Sequence, residues 1–228
     1  MAKRARKQPV TLKKQNKTKS AILEVAENMF AELGYDGTSI RDISRIAKVN
    51  NGAIFYHFGT KQKLFEAVFE DLAAPVVKER IRILSECREA PDKPPMLRQI
   101  LSAYLAPALK GGFATNEKRW RFSRIRVQLL QASHLFMSDM LVKHFTVTGE
   151  NCLMALANEL PHLESRDLEW RYHTMVGSLT FTMGGPGRLQ LGSFSKKGKN
   201  YDPANLSQAF DHLLAQMEVL FSAPASMP

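Results

Sequence analysis

Cysteine is scarce in this chain, and long apolar runs are absent from it. The two cysteines, Cys87 and Cys152, lie far apart and match no metal-binding or redox spacing. This favours two inert thiols in a reducing, cytoplasmic compartment. No apolar run approaches the ~18 residues of a membrane-spanning helix, so no association with a membrane is expected. Residues 1–20 lack the apolar stretch of a signal peptide.

Signatures of catalysis and of metal binding are also missing. The histidines form no HExxH pattern and no pair spaced by four residues, and none has a suitably spaced carboxylate partner. GxSxG and CxxC motifs do not occur. The glycine cluster at 184–187 lacks the GxxxxGKS/T pattern of a phosphate-binding loop and is predicted to be a linker. We therefore expect no metal and no cofactor, and we keep a helical enzyme built from distant residues only as a remote alternative.

Acidic residues are absent from residues 1–19, which contain eight Lys or Arg, and the whole chain carries a net charge of +10. Such a balance favours a polyanionic partner. Two interpretations of the basic segment stay open. It is either a disordered, solvated tail or an arm that lies along DNA phosphates or enters the minor groove.

Residues 38–63 contain two short helical patterns separated by a tight break. In the first, apolar residues recur at steps of three and four, and Thr38 or Ser39 supplies an N-cap oxygen. Residues 48–50 interrupt the pattern, and the second helix ends before Gly59. Two short helices joined by a turn of three or four residues form a helix-turn-helix, whose second helix enters the major groove of DNA. A small helical core with solvated polar ends is the alternative.

Polar residues occupy the positions that a DNA-reading helix requires. Asn50, Asn51 and Gly52 open the second helix, where Asn can pair bidentately with adenine and glycine lets the backbone come close. Residues around its far end are predicted to contact phosphates, which fix the register of the protein on DNA. The predicted DNA-contacting residues are Thr38, Ser39, Asn50, Asn51, Gly52, Tyr56, His57 and Lys61.

Residues 18–70 resemble the DNA-binding domain of the TetR family of bacterial transcriptional regulators. The resemblance rests on two stretches, AENMFAELGYDGTSIRDIS and AKVNNGAIFYHFGTKQKLFEAV. Lys48 stands where the family usually has a turn glycine, and Asn51 stands where Lys, Arg or Pro is common. The resemblance implies a repressor that binds a near-palindromic, double-stranded DNA operator as a homodimer and is released by a small-molecule effector.

Helical periodicity continues through the rest of the chain, and no segment is a convincing strand. We therefore predict an all-α protein of about nine helices. Pro75 is expected to kink or divide a long helix that begins at Lys61, and Asp202 and Pro203 are expected to begin the last helix. The predicted segments are a basic disordered arm (1–19), a helix-turn-helix domain (20–65) and a helical ligand-binding and dimerisation domain (66–228).

An arginine falls on the edge of an apolar helix face in the central part of the chain. Arg126 lies four residues after Phe122, and an arginine so placed is paired, snorkels to solvent or awaits an anionic ligand. Arg124 is a second candidate to meet a carboxylate or phosphate. Simple filling of the core is an equal alternative for the Met and Phe residues of this region. The predicted ligand-binding residues are Trp120, Phe122, Arg126, Met137 and Met175.

The last two long helices, 165–183 and 203–222, have wide apolar stripes. TetR-like proteins build a four-helix bundle between two subunits from the helices in these places, so the resemblance implies a homodimer. The C-terminal part also resembles, more diffusely, the branch of the family that senses fatty acids or acyl-CoA. A constitutive DNA-binding protein with a packed, ligand-free C-terminal domain is the alternative. The predicted dimer-interface residues are Leu179, Phe210, Leu213, Leu214 and Met217.

Overall fold

The computed structural model describes residues 9–89, 96–131, 134–183 and 205–225, with side chains described from residue 15 onwards except at 87–89. All regular structure in these ranges is α-helical, which confirms the all-α prediction. The chain divides into two units, Met1–Asp71 (unit 1) and Leu72–Pro228 (unit 2). The nine described helices are α1 (Pro9–Gly37), α2 (Ile40–Ile46), α3 (Asn51–Phe58), α4 (Lys61–Glu89), α5 (Leu97–Leu109), α6 (Asn116–Gln131), α7 (Leu135–Glu159), α8 (Ser165–Met183) and α9 (Leu206–Ser222).

The first helix begins within the segment predicted to be a disordered arm. Pro9 occupies its first position, where the fixed φ of proline suits a helix start, and the following Lys and Gln residues are good helix formers. Residues 9–19 are therefore helical, and residues 1–8 lie outside the described residues. The helix is interrupted at Gly34, whose φ of 76° and ψ of 175° are not helical. Glycine adopts this φ because it has no Cβ.

Unit 1 is held together by one apolar core that α1 shares with α2, α3 and the start of α4. Phe30 of α1 meets Phe65 of α4 edge-to-face, with ring centroids 4.9 Å apart, and Tyr35 contacts both rings. Burial of each such aromatic side chain contributes roughly 1.5–3 kcal/mol. The side chains of this core that are at most 1% exposed are Ile22, Ala26, Phe30, Ala31, Ile43, Ile54, Leu64, Phe65, Val68 and Phe69.

Pro75 lies inside α4, which runs unbroken from Lys61 to Glu89, so the expected division of this helix does not occur. Proline removes one backbone hydrogen bond and leaves the carbonyl of Asp71 without its helical donor. Both residues are exposed, so water can satisfy that carbonyl. The boundary between the two units and the predicted boundary after residue 65 both fall within this helix.

In unit 2, α9 packs against α5 and α8, and α7 packs against α5, α6 and α8. The observed α8 has the bounds that were predicted. Helix α9 instead begins at Leu206, because Asn205 is its N-cap and accepts a hydrogen bond from the backbone N–H of Gln208 at 3.0 Å. Asp202 and Pro203, the predicted start, lie outside the described residues.

One buried arginine joins α8 to the end of α9. Arg171 is 6% exposed, and its guanidinium donates to the backbone carbonyls of Leu220, Phe221, Ala223 and Pro224 at 2.6–3.0 Å. The last carbonyls of a helix have no intrahelical donor. The cation therefore satisfies carbonyls at the negative end of the α9 dipole.

Candidate nucleic-acid interface and ligand site

The turn between α2 and α3 is a Schellman motif with a lysine at the left-handed position. Lys48 has a φ of 54°, in the region that favours glycine. The backbone N–H of Val49 donates to the carbonyl of Ser44 at 3.0 Å, and that of Lys48 donates to the carbonyl of Arg45 at 3.4 Å. This pairing is the C-terminal cap that a glycine usually makes. A lysine in place of the usual glycine therefore keeps both hydrogen bonds of the turn and adds backbone strain at Lys48.

Two asparagines fix the N-terminal end of α3. The Oδ1 atom of Asn50 accepts from the backbone N–H of Ala53 at 2.7 Å, as an N-cap does. The Oδ1 atom of Asn51 accepts from the hydroxyl of Ser44 at 2.5 Å, which ties α3 to α2. Both asparagines are exposed, as is Gly52. Since each Oδ1 already accepts a hydrogen bond, the amide Nδ2 is the main group that each side chain offers to DNA.

At the start of α2, Ser39 and Thr38 have different roles. Ser39 is exposed, and its hydroxyl oxygen accepts from the backbone N–H of Asp42 at 3.1 Å, as predicted for an N-cap. Thr38 is 2% exposed, and its hydroxyl donates to the carbonyl of Gly34 at 2.8 Å. The hydroxyl of Thr38 therefore satisfies a carbonyl at the break in α1 and is not presented to solvent, and its predicted contact with DNA stays a prediction.

The predicted phosphate-contacting residues differ in how far they reach into solvent. Tyr56 is 74% exposed and lies edge-to-face against His57, with ring centroids 5.1 Å apart. The ammonium of Lys61 lies 4.4 Å from the ring centroid of Tyr35. Partial burial lowers the pKa of Lys61, and the nearby carboxylate of Asp36 opposes that shift. Lys61 is therefore anchored against the domain by a cation–π contact.

In unit 2, Arg126 is buried without an ionic partner in the part of the chain that the structure describes. It is 4% exposed, its Nε and Nη1 atoms have no hydrogen-bond acceptor there, and its guanidinium lies 5.1 Å from the ring centroid of Phe145. Of the three predicted alternatives, pairing finds no partner among the described residues, and at 4% exposure the side chain makes little contact with solvent. Burial lowers the pKa of Arg126 to about 10, so the guanidinium is still charged at neutral pH. An uncompensated buried charge of this kind costs several kcal/mol.

A second buried arginine, Arg80, was not predicted from the sequence. It is fully buried, its Nε donates to the backbone carbonyl of Tyr104 at 2.8 Å, and its guanidinium carbon lies 3.9 Å from the centroid of the Tyr104 ring. Its Nη1 and Nη2 atoms have no acceptor among the described residues. The signal was present in the sequence, because Arg80 lies four residues from both Val76 and Leu84 on the apolar stripe of α4.

The other predicted ligand-binding residues separate into buried and surface positions. Phe122, Met137 and Met175 are at most 2% exposed. Trp120 is 38% exposed, and the guanidinium of Arg124 lies 5.0 Å from its ring centroid. The structure therefore places Trp120 at the surface, where it stacks with an arginine rather than lining the interior.

The predicted dimer-interface side chains are already buried within a single chain. All five, Leu179, Phe210, Leu213, Leu214 and Met217, are at most 5% exposed. Helix α5 packs on α9, so the apolar stripe of α9 is buried without a second subunit in this conformation, and the assignment of these five residues to a dimer interface stays a prediction. The large apolar side chains that α8 and α9 expose are Trp170 (68%), Phe181 (63%) and Val219 (73%).

Three further surface and composition features limit the choice of site. A depression of about 450 Å³ lies at the N-terminal end of α9, where residues of a single helix end line it and leave it open. No cluster of His, Cys, Asp and Glu suited to a metal ion occurs among the described residues. None of the described helices combines the length and the hydropathy needed to cross a bilayer.

Family comparisons cover both units. Residues 22–68 match the family "Bacterial regulatory proteins, tetR family", and residues 102–217 match the family "Tetracyclin repressor-like, C-terminal domain". The chain is 38% identical over 116 residues to the HTH-type transcriptional repressor Rv3405c of Mycobacterium tuberculosis, which is 50% of this chain and 57% of that protein. It is 39% identical over 69 residues to the repressor NicS of Pseudomonas putida, 30% of this chain and 32% of that protein. The matches thus cover 57% and 32% of the lengths of these two relatives.

Solved structures share the fold across most of the chain. A TetR-like transcriptional regulator from Rhodococcus sp. RHA1 superposes with a TM-score of 0.57 at 17% identity, covering 89% of this chain and 94% of that chain. The TetR family regulator PfmR from Thermus thermophilus superposes with a TM-score of 0.55 at 17% identity, covering 88% and 96%. At this identity the likeness concerns the fold alone.

Proposed function

We propose, since this chain belongs to the TetR family of bacterial transcriptional regulators, that it represses transcription by binding a near-palindromic operator as a homodimer and that a mainly apolar effector releases it. As a member of this family the chain is a DNA-binding regulator and not an enzyme. The observation that carries the proposal is the exposed, polar N-terminal end of α3, which Asn50 caps and Asn51 ties to α2.

Base reading is assigned to the first turn of α3. The amides of Asn50 and Asn51 supply donors for purine N7 or carbonyl oxygens in the major groove. Gly52 keeps this end narrow enough for the backbone to approach the bases. Phosphate contacts are assigned to Ser39, Tyr56, His57 and Lys61, which lie on α3 or next to it in the chain. Such contacts set the register of the protein on DNA without reading the sequence. Thr38 is left out of the proposed contacts because its hydroxyl is buried.

Dimerisation is assigned to the outward faces of α8 and α9, because these faces expose large apolar side chains. Trp170 and Phe181 are the large apolar side chains that α8 exposes, and Val219 is the one that α9 exposes. Isolated exposed apolar residues are ordinary, but three large ones on two helices that pack together are typical of an interface. In such a dimer, the α3 helices of the two subunits would lie about 34 Å apart and would read two half-sites. The operator would then have two-fold symmetry.

Val219→Glu tests the dimer, because the glutamate would bury a charge in the proposed interface but would be solvated on a monomer. Sedimentation should show a folded monomer with steeply reduced operator affinity. Ser138→Glu introduces the same charge at an exposed position of α7, outside the proposed interface, and is the control for charge alone. A wild-type monomer at micromolar concentration, or a Val219→Glu dimer as tight as wild type, would contradict the assignment.

DNA recognition is tested by selecting duplexes from a random pool with the wild-type protein. The selected sequence should be an inverted repeat. Lys61→Ala should weaken binding to all duplexes and reduce the salt slope by about one unit. Lys143→Ala is the matched control, because it removes the same charge from an exposed position of α7 in unit 2. Selected duplexes without symmetry, or an unchanged slope in Lys61→Ala, would contradict the proposal.

Asn51→Asp separates base reading from the tie to α2. Aspartate keeps an oxygen acceptor for the hydroxyl of Ser44 but lacks the amide donor. The variant should therefore fold as wild type and prefer a different operator. If it selects the wild-type operator with wild-type affinity, Asn51 has only a structural role.

The effector is assigned to unit 2, among helices α4 to α8, where the buried side chains include Phe122, Met137, Met140, Met175 and Met183. An effector releases DNA only if it binds the released state more tightly than the DNA-bound state. Alkyl compounds should therefore raise the melting temperature of unit 2 and weaken operator binding together. Operator binding that no alkyl compound alters would favour a constitutive DNA-binding protein instead.

A further inference from the structure

Two buried guanidinium groups of unit 2, those of Arg80 and Arg126, pair with no described carboxylate. Arg80 and Arg126 are 0% and 4% exposed. None of the ion pairs found among the described residues includes them. Four of their nitrogen atoms, Nη1 and Nη2 of Arg80 with Nε and Nη1 of Arg126, have no acceptor there. Buried charges in proteins are normally paired, so this cluster has an unmet need for a counter-ion.

The two arginines share one site with a pair of tyrosines. The charge of Arg80 acts on Arg126, as do Tyr104 and Tyr172, and burial is the largest cause of the lowered pKa of Arg126. Arg80 stacks on the ring of Tyr104, whose hydroxyl lies 2.8 Å from the hydroxyl of Tyr172. Gly149 of α7 makes room for this pair, because a Cβ there would lie 2.8 Å from the Tyr172 hydroxyl. Donor groups of α4, α5 and α8 thus meet at the Tyr104–Tyr172 pair, and Arg126 of α6 lies near enough to this pair and to Arg80 for their charges to act on it.

A row of aromatic rings leads away from Arg126. Its guanidinium lies against Phe145, the Phe145 ring centroid is 6.4 Å from that of Phe122, and Phe122 is 5.1 Å from Phe113. Phe122 is fully buried, whereas Phe113 at the other end of the row is partly exposed. Aromatic side chains thus extend from the buried guanidinium of Arg126 towards the surface.

We propose that Arg80 and Arg126 bind the carboxylate of an organic acid whose alkyl or aryl part lies along Phe145, Phe122 and Phe113. This inference rests on the proposed function, because the organic acid is the effector of that proposal. The planar fork of a guanidinium matches a carboxylate with two parallel hydrogen bonds, which a single ammonium cannot do. Entry into the enclosed core removes less hydration from a carboxylate than from a doubly charged phosphate, and this favours the carboxylate.

Matched alkyl probes test the inference with the purified full-length protein. Decanoate, decanol and decyl phosphate, each below its micelle concentration, are titrated by calorimetry and by thermal unfolding. Decanoate should bind wild type at least tenfold more tightly than decanol does. Arg126→Met should weaken decanoate binding about 10- to 100-fold, the size of the effect expected for hydrogen bonds to a charged group, and should leave decanol binding unchanged.

Two further variants separate ligand binding from a structural role. Arg126→Lys keeps the charge without the fork, so its decanoate affinity should lie between those of wild type and Arg126→Met. Arg124→Met, a partly buried arginine on the same helix, should bind decanoate as wild type does. Without ligand, Arg126→Met should melt at or above the wild-type temperature, because methionine removes an uncompensated buried charge.

Three results would overturn the inference. Decanoate and decanol could bind wild type equally, Arg126→Met could melt lower than wild type while keeping its decanoate affinity, or decyl phosphate could bind more tightly than decanoate. Duplex selection with the same wild-type preparation distinguishes the two proposals. Retained operator binding together with any of these results leaves the DNA-binding proposal standing and removes only the carboxylate site.

Discussion

The turn of the helix-turn-helix offers a test that depends on backbone strain rather than on function. A left-handed φ costs a residue with a Cβ about 1–2 kcal/mol, and Lys48 has a φ of 54°. Glycine avoids that cost but gives the unfolded chain more freedom, which offsets about 0.4–1 kcal/mol. Lys48→Gly is therefore expected to stabilise unit 1 by about 0.5–1 kcal/mol.

Hydrogen exchange of the amides in α2 and α3 measures this effect locally. Both tryptophans, Trp120 and Trp170, belong to unit 2, so their fluorescence does not report on unit 1. For amides that exchange only when unit 1 unfolds, exchange should be about two- to fivefold slower in Lys48→Gly than in wild type. This range is the expected gain in the free energy of unfolding, converted at 1.36 kcal/mol for a factor of ten. Lys48→Ala is the matched control, since it removes the same charge and keeps the Cβ. Equal exchange rates in the two variants would refute the strain argument.

Two other predictions concern helix packing and helix capping. Gly149→Ala should destabilise unit 2 by about 1 kcal/mol in urea unfolding, because overpacking against Tyr172 outweighs the better helix propensity of alanine. Gly177→Ala, where no atom lies within 4 Å of the added Cβ, should instead be neutral or stabilising, and the same loss in both variants would contradict the packing argument. Ser39→Ala removes an N-cap worth about 1 kcal/mol. The hydrogen bond with Ser39 is also the largest cause of the lowered pKa of Asp42. The stability that this hydrogen bond adds is therefore fully present above the unfolded-state pKa of Asp42, and it is lost as the pH falls through the lower folded-state pKa. The loss in Ser39→Ala should therefore be larger at pH 7 than at pH 2, and a loss independent of pH would contradict the coupling.

The helical architecture could be predicted from the sequence because its signals are local. Apolar periodicity and caps such as Ser39 and Asn50 place helix starts within a few residues, and the structure uses both caps. The start of α1 was not predicted. The basic composition of residues 9–19 suggested a solvated tail, although the Lys and Gln residues of this segment are good helix formers.

Positions that depend on which element covers a helix face could not be predicted. The stripe of α9 identifies an apolar face containing Leu213 and Leu214, but periodicity does not distinguish a neighbouring helix of the same chain from a second subunit. The role of Thr38 depends on the carbonyl that the break at Gly34 leaves free, which is a consequence of backbone geometry. Arg80 was visible as a charge on an apolar stripe, but its position near Arg126 depends on the packing of α4 against distant helices.

The contact between Arg171 and the end of α9 has a consequence for the order in which the chain is built. The carbonyls that accept from this guanidinium lie 49 to 53 residues further along the chain. Until residues 220–224 have been synthesised, burying Arg171 would leave a cation without acceptors, so α8 cannot complete its packing. The contacts of unit 1 lie within the first 71 residues, so that unit can fold while the rest of the chain is still on the ribosome. The DNA-reading head is thus expected to form early in translation, and the core around the buried arginines is expected to close last.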